Sequence, residues 1–541
     1  MRSSSLLNSL ARMAVGSLAA FSICVAAYGS PSFVAPIDKK LHTRAHKALR
    51  EGDFDLAEKL YRELVVKDSH DNQARLGLSF SLYKQRNLQD AYDHAARVIL
   101  VDPLSARAHA LLGSVILASG NFRESVEEFR TAITLNEDED LAISGLAMVD
   151  FYENRLEASI RGLRRAARLA PSEPDYIFNL GQAAARNEKY REAADAYERF
   201  LAIAPKTDAD RRERIKGLID FLRYLGKQGS LYIPGGANKT SISFESVDTR
   251  PILLVRVNGG REQLRFVLDT GSGMSVISEE TARMLGLRPV ARGGLARAVG
   301  GGGRFEIVYG FLSSIDVGEV RVENVPVYIR RFYDSKVHVH GYLGLSIISK
   351  FLTSVDYGER TFTLVRQRPT GSLEIFDSTQ TEEGNSPRLS SAVEIPLRTT
   401  SSGFLSGEVR IEGFERPLNF IVDTGASISV VSEKLAAQKE LNSYLQPDRM
   451  RVFGAAGVTE DVKMLLLPRI MLGTFAREHV PAAVLDLDPV NETAGFVQNG
   501  ILGGNFLRHF RVSFDFQRGV IRLEPLGETA KASTPGGGRR R

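Results

Sequence analysis

The chain has 541 residues, enough for about three or four domains of ordinary size. Hydrophobic residues make up 43% and charged residues 25%, the balance of folded globular domains. The net charge of +5 is small, part of it sits in the last three arginines, and no basic stripe is interleaved with aromatics, so nucleic-acid binding has no support. The single cysteine, Cys24, excludes intramolecular disulfides and Cys-based metal sites.

Arg2 and Arg12 precede an uncharged stretch over 13–28, and Val25-Ala26-Ala27 offers a cleavage site. Residues 1–30 are therefore expected to be a signal peptide, and the chain an exported bacterial protein, periplasmic or extracellular. The alternative is an uncleaved segment that anchors the chain to the membrane, although the apolar part is short for a span.

A 34-residue period follows. Phe54, Leu88, Phe122, Leu156 and Tyr190 recur at that spacing, each after a turn-like pair such as Gly52-Asp53 or Gly120-Asn121. A small residue follows three positions later: Ala57, Ala91, Ser125, Ser159, Ala193. Fifteen positions after the large residue come Ser69, Pro103, Glu137, Pro171 and Pro205, and proline there ends a helix. The pattern predicts five helix-turn-helix units over 40–224, stacked because none can bury its core alone. Period and spacing resemble the tetratricopeptide repeat, and the resemblance implies a concave face for a protein partner. A spacer or dimerisation surface is the other reading.

Residues 226–246 are polar and contain Pro234-Gly235-Gly236, which reads as a linker. Short β-like runs fill 247–366, a second polar linker spans 367–391, and β-like runs resume over 392–525. The tail 526–541 is poor in apolar residues and is expected to be disordered. His338 and His340 form the one close histidine pair. On an alternating strand they share a solvated face, and without accompanying carboxylates no metal site is expected.

The two β-rich segments look like copies. An apolar run leads into Asp269-Thr270-Gly271 in the first and Asp423-Thr424-Gly425 in the second. A glycine-rich turn begins 31 residues after each Asp, at Gly300 (Gly300, Gly301, Gly302, Gly303) and at Gly454 (Gly454 to Gly457). A Leu-Gly pair follows in each, Leu343-Gly344 and Leu502-Gly503, and then an Asp between large apolar residues, Asp356 and Asp515.

Two carboxylates held close cannot easily both ionise, so they share a proton. The ionised one can deprotonate a water while the protonated one donates to a peptide carbonyl. Glycine permits a tight turn at the carboxylate, and the Thr hydroxyl can lock the loop from below. The glycine-rich turns sit where hairpin tips could fold over an extended substrate.

These segments resemble retropepsin-type aspartic peptidases. The resemblance implies a chain built from an all-α repeat solenoid followed by two all-β retropepsin-like acid-protease domains. It implies Asp269 and Asp423 as the catalytic pair, with Thr270, Gly271, Thr424 and Gly425 supporting them. Gly300 to Gly303, Gly454 and Gly457 would form flaps. It further implies an aspartic endopeptidase acting on polypeptide, with no metal and no cofactor. A non-catalytic peptide-binding scaffold on the same domains is the alternative. Whether the two halves face each other or pair between chains is left open.

Overall fold

The structure is a computed structural model that describes residues 38–301, 304–334, 337–367 and 393–526. The expected signal segment, the second linker from 368 onward and the tail from 527 onward lie outside the described residues.

Ten helices form five antiparallel pairs: α1 (Lys39–Arg50) with α2 (Phe54–Lys67), α3 (Asn72–Lys84) with α4 (Leu88–Val101), α5 (Ala106–Ser119) with α6 (Phe122–Leu135), α7 (Asp140–Tyr152) with α8 (Leu156–Leu169), and α9 (Pro174–Arg186) with α10 (Tyr190–Ile203). An eleventh, α11 (Ala209–Leu225), closes the array. The 34-residue period has a local cause at both helix ends. Gly52, Arg86, Gly120, Asn154 and Glu188 all turn the chain with a left-handed backbone, at φ values of 71°, 63°, 91°, 60° and 58°. The second helix of each pair then ends two residues before Ser69, Pro103, Glu137, Pro171 or Pro205. Ala57, Ala91, Ser125, Ser159 and Ala193 are fully buried, because a larger side chain would hold paired helices apart.

The segment 226–246, expected to be a linker, instead contributes strands. Ile233–Gly236 pairs with Val320–Arg330, and Lys239–Ser243 pairs with Thr361–Arg366. Its alternating Thr240 and Ile242 suit a half-buried edge, and that periodicity outweighed the turn residues before it.

Each β half builds the same core. In the first, Leu264–Leu268 lies parallel to Gly341–Leu343, which in turn pairs antiparallel with Val276–Ser278. In the second, Leu418–Val422 lies parallel to Gly500–Leu502, which pairs antiparallel with Ser429–Ser432. The halves are joined by one run of six antiparallel strands, in the order Val393–Thr399, Val520–Pro525, Phe510–Asp515, Phe351–Asp356, Thr361–Arg366, Lys239–Ser243. Its central register sets Val355 against Val512 and Asp356 against Arg511. The Asp356 carboxylate accepts from Nε of Arg511 at 2.7 Å, which ties the halves across the join. One hydrophobic core runs through both halves and continues to Phe221 and Leu225 of α11.

The repeats grip the β halves at two places. Phe221 of α11 stacks on Tyr309 with ring centroids 4.3 Å apart, and Gly217 lies against the Arg292 and Gly293 backbone so closely that a Cβ would fall 2.6 Å from the Gly293 carbonyl oxygen. On the other half, Phe496 inserts between Phe122 and Tyr152 at centroid distances of 4.9 and 5.1 Å. The half-buried Arg186 guanidinium donates to the carbonyls of Phe151, Thr399, Thr400 and Ser401 and stacks over the Phe151 ring at 3.8 Å. Burial without a carboxylate partner lowers its pKa to about 9.

Candidate active site

The strands ending at Leu268 and Val422 deliver the two Asp-Thr-Gly loops to one point. Beneath them the threonines interlock. The Thr270 hydroxyl donates to the Val422 carbonyl (2.8 Å) and the Thr424 hydroxyl to the Leu268 carbonyl (2.7 Å). Each hydroxyl also accepts the other threonine's backbone N–H, at 3.0 and 3.2 Å. Both threonines are fully buried, so all four polar groups depend on this exchange.

Above the threonines the carboxylates face each other. The Gly271 N–H donates to Oδ1 of Asp269 at 2.9 Å, and the Gly425 N–H to Oδ1 of Asp423 at 2.7 Å. The glycines are required sterically: a Cβ on Gly271 would lie 2.3 Å from Oδ2 of Asp423, and one on Gly425 would lie 2.7 Å from Oδ1 of Asp269. Asp269 is buried and Asp423 partly so. Burial raises both pKa values above the usual carboxylate range, and the neighbouring Asp269 charge raises that of Asp423 further. On Asp269 the rise is restrained by the Ser272 hydroxyl, which donates to Oδ2 at 2.5 Å. The pair therefore retains a shared proton and titrates as a unit.

Behind each loop lies the Leu-Gly pair. The Asp269 N–H donates to the Leu343 carbonyl and the Asp423 N–H to the Leu502 carbonyl, both at 3.0 Å. The Gly344 N–H donates to the Ser275 hydroxyl (3.0 Å) and the Gly503 N–H to the Ser429 hydroxyl (3.1 Å).

Two hairpins cover the pair. The first is built from Ala291–Arg297 and Arg304–Val317, the second from Leu445–Gly454 and Gly457–Leu472. Their tips touch: the Gly301 N–H donates to the Thr459 hydroxyl at 2.8 Å, and a Cβ on Gly454 would fall 2.1 Å from the Val299 carbonyl oxygen. Gly300 and Gly301 carry φ values of 80° and 84°, as the turn demands. Gly302 and Gly303 lie outside the described residues. Arg330 stacks on Phe305 of the first hairpin and donates to the Ala455 carbonyl at the tip of the second.

The structure thus brings together Asp269, Thr270, Gly271, Asp423, Thr424 and Gly425, with Gly300, Gly301, Gly454 and Gly457 at the hairpin tips. Sequence reasoning gave no role to Ser272, Ser275, Ser429 or Arg330. Ser275 and Ser429 occupy matching places in the two copies, which was the available signal. Ser272 has Ala426 as its counterpart, so comparing the copies hid it. Residues 337–340 do not form the expected strand. Val337 and Val339 are instead buried against Ile252 and Val267, and Nδ1 of His340 accepts the Arg265 N–H at 3.1 Å. Among the described residues no group of three or more His, Cys, Asp or Glu could hold a metal, and no helix is long and apolar enough to cross a membrane.

An aspartyl protease family model matches residues 253–347 and 407–506, and three tetratricopeptide repeat models match 48–115, 106–139 and 145–207. Anaphase-promoting complex subunit 3 of Schizosaccharomyces pombe is 31% identical over 123 residues. These are 23% of this chain and 18% of that protein, so the chain spans less than a fifth of this relative's length. Among solved structures, the aspartic proteinase from Irpex lacteus is matched along 100% of its length and 55% of this chain, at 14% identity and a TM-score of 0.35. A thermophilic tetratricopeptide repeat protein from Thermus thermophilus is matched along 94% of its length and 32% of this chain, at 17% identity and a TM-score of 0.29.

Proposed function

Because the chain is a tetratricopeptide-repeat array followed by two copies of an aspartyl protease domain, we propose that it is an aspartic endopeptidase whose single site takes Asp269 from one copy and Asp423 from the other. The observation that carries this reading is the pair of carboxylates, each from its own domain, locked over interleaved threonines and both pushed toward the protonated form. A fold with no use for the pair has no physical reason to bury two like charges together.

In the reaction, Asp269 is the ionised partner, because the Ser272 hydroxyl donates to it and Asp423 has no such donor. It takes a proton from a water between the carboxylates, and the water oxygen bonds to the peptide carbonyl carbon. Asp423 gives its proton to the carbonyl oxygen, which leaves a tetrahedral diol. Asp269 then passes its proton to the amide nitrogen while Asp423 takes one from a diol hydroxyl, so the C–N bond breaks, the acid forms and the starting pair is restored. The touching hairpins must part to admit substrate and close to exclude bulk water.

The repeats mark a protein-interaction module, and we assign its inner face to polypeptide. Residues 1–30 are read as an export signal that places the site outside the cytoplasm, with an uncleaved membrane anchor as the variant of that reading. Fractionation of the producing cells, with N-terminal sequencing of the mature chain, tests this. The activity is tested by incubating the purified chain with an unfolded peptide library from about pH 3.5 to about pH 7.5 beside Asp269→Asn and Asp423→Asn. Cleavage lost in both variants is the expected result. Cleavage that survives either substitution sinks the shared site.

A further inference from the structure

A single cavity of about 1660 Å³ is walled both by the loop after Asp269 and by the inner helices of the repeats. It exceeds the roughly 300–1,000 Å³ of small-molecule pockets. The inner helices α1, α3, α5, α7 and α9 all contribute to it, as does α11.

The repeats do not leave this face open at the side. The Thr207 hydroxyl, after α10, donates to the Glu51 carbonyl after α1 at 2.8 Å, so the last unit meets the first. Lys84 of α3 pairs with Asp175 of α9 at 2.5 Å, and Asp175 also holds Arg211 of α11 at 2.8 Å. The inner face is therefore an enclosed bore, which the Lys84–Asp175–Arg211 pairs reach into, and its mouth lies at the loop that follows Asp269. The bore meets the cleft on one side only. Gly271, Ser272 and Gly273 line it, with Ser402 and Gly403 packed against Gly273, whereas none of residues 425–428 does.

The mouth is cationic. Arg297 pairs with Glu492, and Arg304 with Asp210 at 2.9 Å. Arg214 and Arg330 line the same stretch, and among the described residues neither has a carboxylate at ion-pair distance. Burial lowers the pKa of both, offset in part at Arg214 by the nearby Glu492, Asp210 and Asp208 carboxylates.

We propose that the bore is a substrate channel: on one side of the scissile bond the polypeptide leaves the cleft as an extended, unfolded chain and continues through the repeats, with acidic side chains beside Arg214 and Arg330. This rests on the peptidase reading for its direction but not for its binding surface. A folded partner cannot be laid across a closed bore, so the repeats handle the substrate itself, and an unfolded segment is required.

Two nested series of fluorescein-labelled peptides test it. Both are built around one bond cut in the unfolded library and extended stepwise by up to about sixteen residues, ~50 Å of extended chain, toward the N-terminus in one and the C-terminus in the other. Cleavage by the full chain gives kcat/KM, and anisotropy with Asp423→Asn gives Kd. If no bond is cut, pooled library peptides of rising length serve for binding alone. Lengthening in one direction only is expected to improve kcat/KM and Kd by about tenfold or more, ~1.4 kcal/mol. Acidic flanks should gain more than neutral ones. A folded domain fused close to the scissile bond on that side should cancel the gain. Gln182→Trp, which fills the bore from α9, should lower the long-to-short ratio, each enzyme's own short-peptide rate serving as reference. Cleavage indifferent to length, or improved equally in both directions, overturns the channel while leaving the peptidase intact. Length-dependent binding without any cleavage overturns the peptidase and leaves the channel.

Discussion

The two β halves carry the same machinery in different surroundings. Their threonines, glycines and Leu-Gly pairs are interchangeable in geometry, down to serines Ser275 and Ser429 at matching places. They diverge just outward of the carboxylates. The first half has Ser272 donating to its Asp, where the second has Ala426. The first hairpin is backed by α11, whereas the second meets neighbouring parts of the β region at its tip. Two-fold symmetry is kept where the halves hold each other, and it is given up beside the carboxylates, at Ser272 and Ala426, and where the repeats attach.

The symmetric layer is broken by substitutions with the largest effects. Asp269→Asn and Asp423→Asn should each lower kcat by about 10³-fold or more, since either one removes the shared-proton pair. Initial rates on one cleavable peptide measure this, and a large inequality between the two would show that the halves do not share one site. Thr270→Val and Thr424→Val should each destabilise the fold by about 2–4 kcal/mol, because each leaves a buried carbonyl and a buried N–H without partners. Urea unfolding checks it. Near-equal losses confirm the exchange, and a loss confined to one side would show that the other threonine only fills space.

What was legible in the sequence was whatever repeats. The helix pairs could be read because Gly52, Arg86, Gly120, Asn154 and Glu188 recur at the position where the chain reverses. The Asp loops could be read because two copies align. The six-stranded join was less visible. Asp356 and Asp515 marked its centre, but Lys239–Ser243 lay in a segment whose Pro and Gly suggested a linker. The meeting of repeats and cleft was invisible. It depends on Phe496, Arg186 and Gly217, single residues in no pattern whose meaning exists only once distant parts touch.

The asymmetric layer yields smaller effects. Ser272→Ala removes a donor that favours ionised Asp269, so the acid limb of the pH–rate profile should move to higher pH. Ala426→Ser, by supplying the same donor to Asp423, should weaken the distinction between the partners and lower kcat at the optimum. A Ser272→Ala profile that keeps its acid limb would show that Asp269 is not the base. Stability carries a related signature. The folded pKa of Asp423 lies above its unfolded value, so the folded state binds that proton more tightly. The resulting stability is full below the unfolded pKa and is lost as pH rises toward the folded one. Asp423→Asn cannot ionise, so its melting temperature should exceed the parent's by a few degrees near pH 7, with the gap narrowing toward about pH 4.

The smallest effect separates the hairpins. Phe221 is almost fully buried and stacks on Tyr309, which lies on the outgoing strand of the first hairpin. Phe221→Leu keeps most of the apolar volume but removes the stack, a change of about 0.5–1.5 kcal/mol. Because Gly217 also holds the same helix to Gly293 on the incoming strand of that hairpin by backbone contact, the hairpin should stay attached but open more often. Amide hydrogen exchange should then quicken along 291–297 and 304–311, while 445–454 changes only near the shared tip. Faster exchange throughout both hairpins would mean that they open as one body through the tip contacts. In that case α11 restrains the whole cover of the site, and whatever occupies the repeats can set how often the cleft is open.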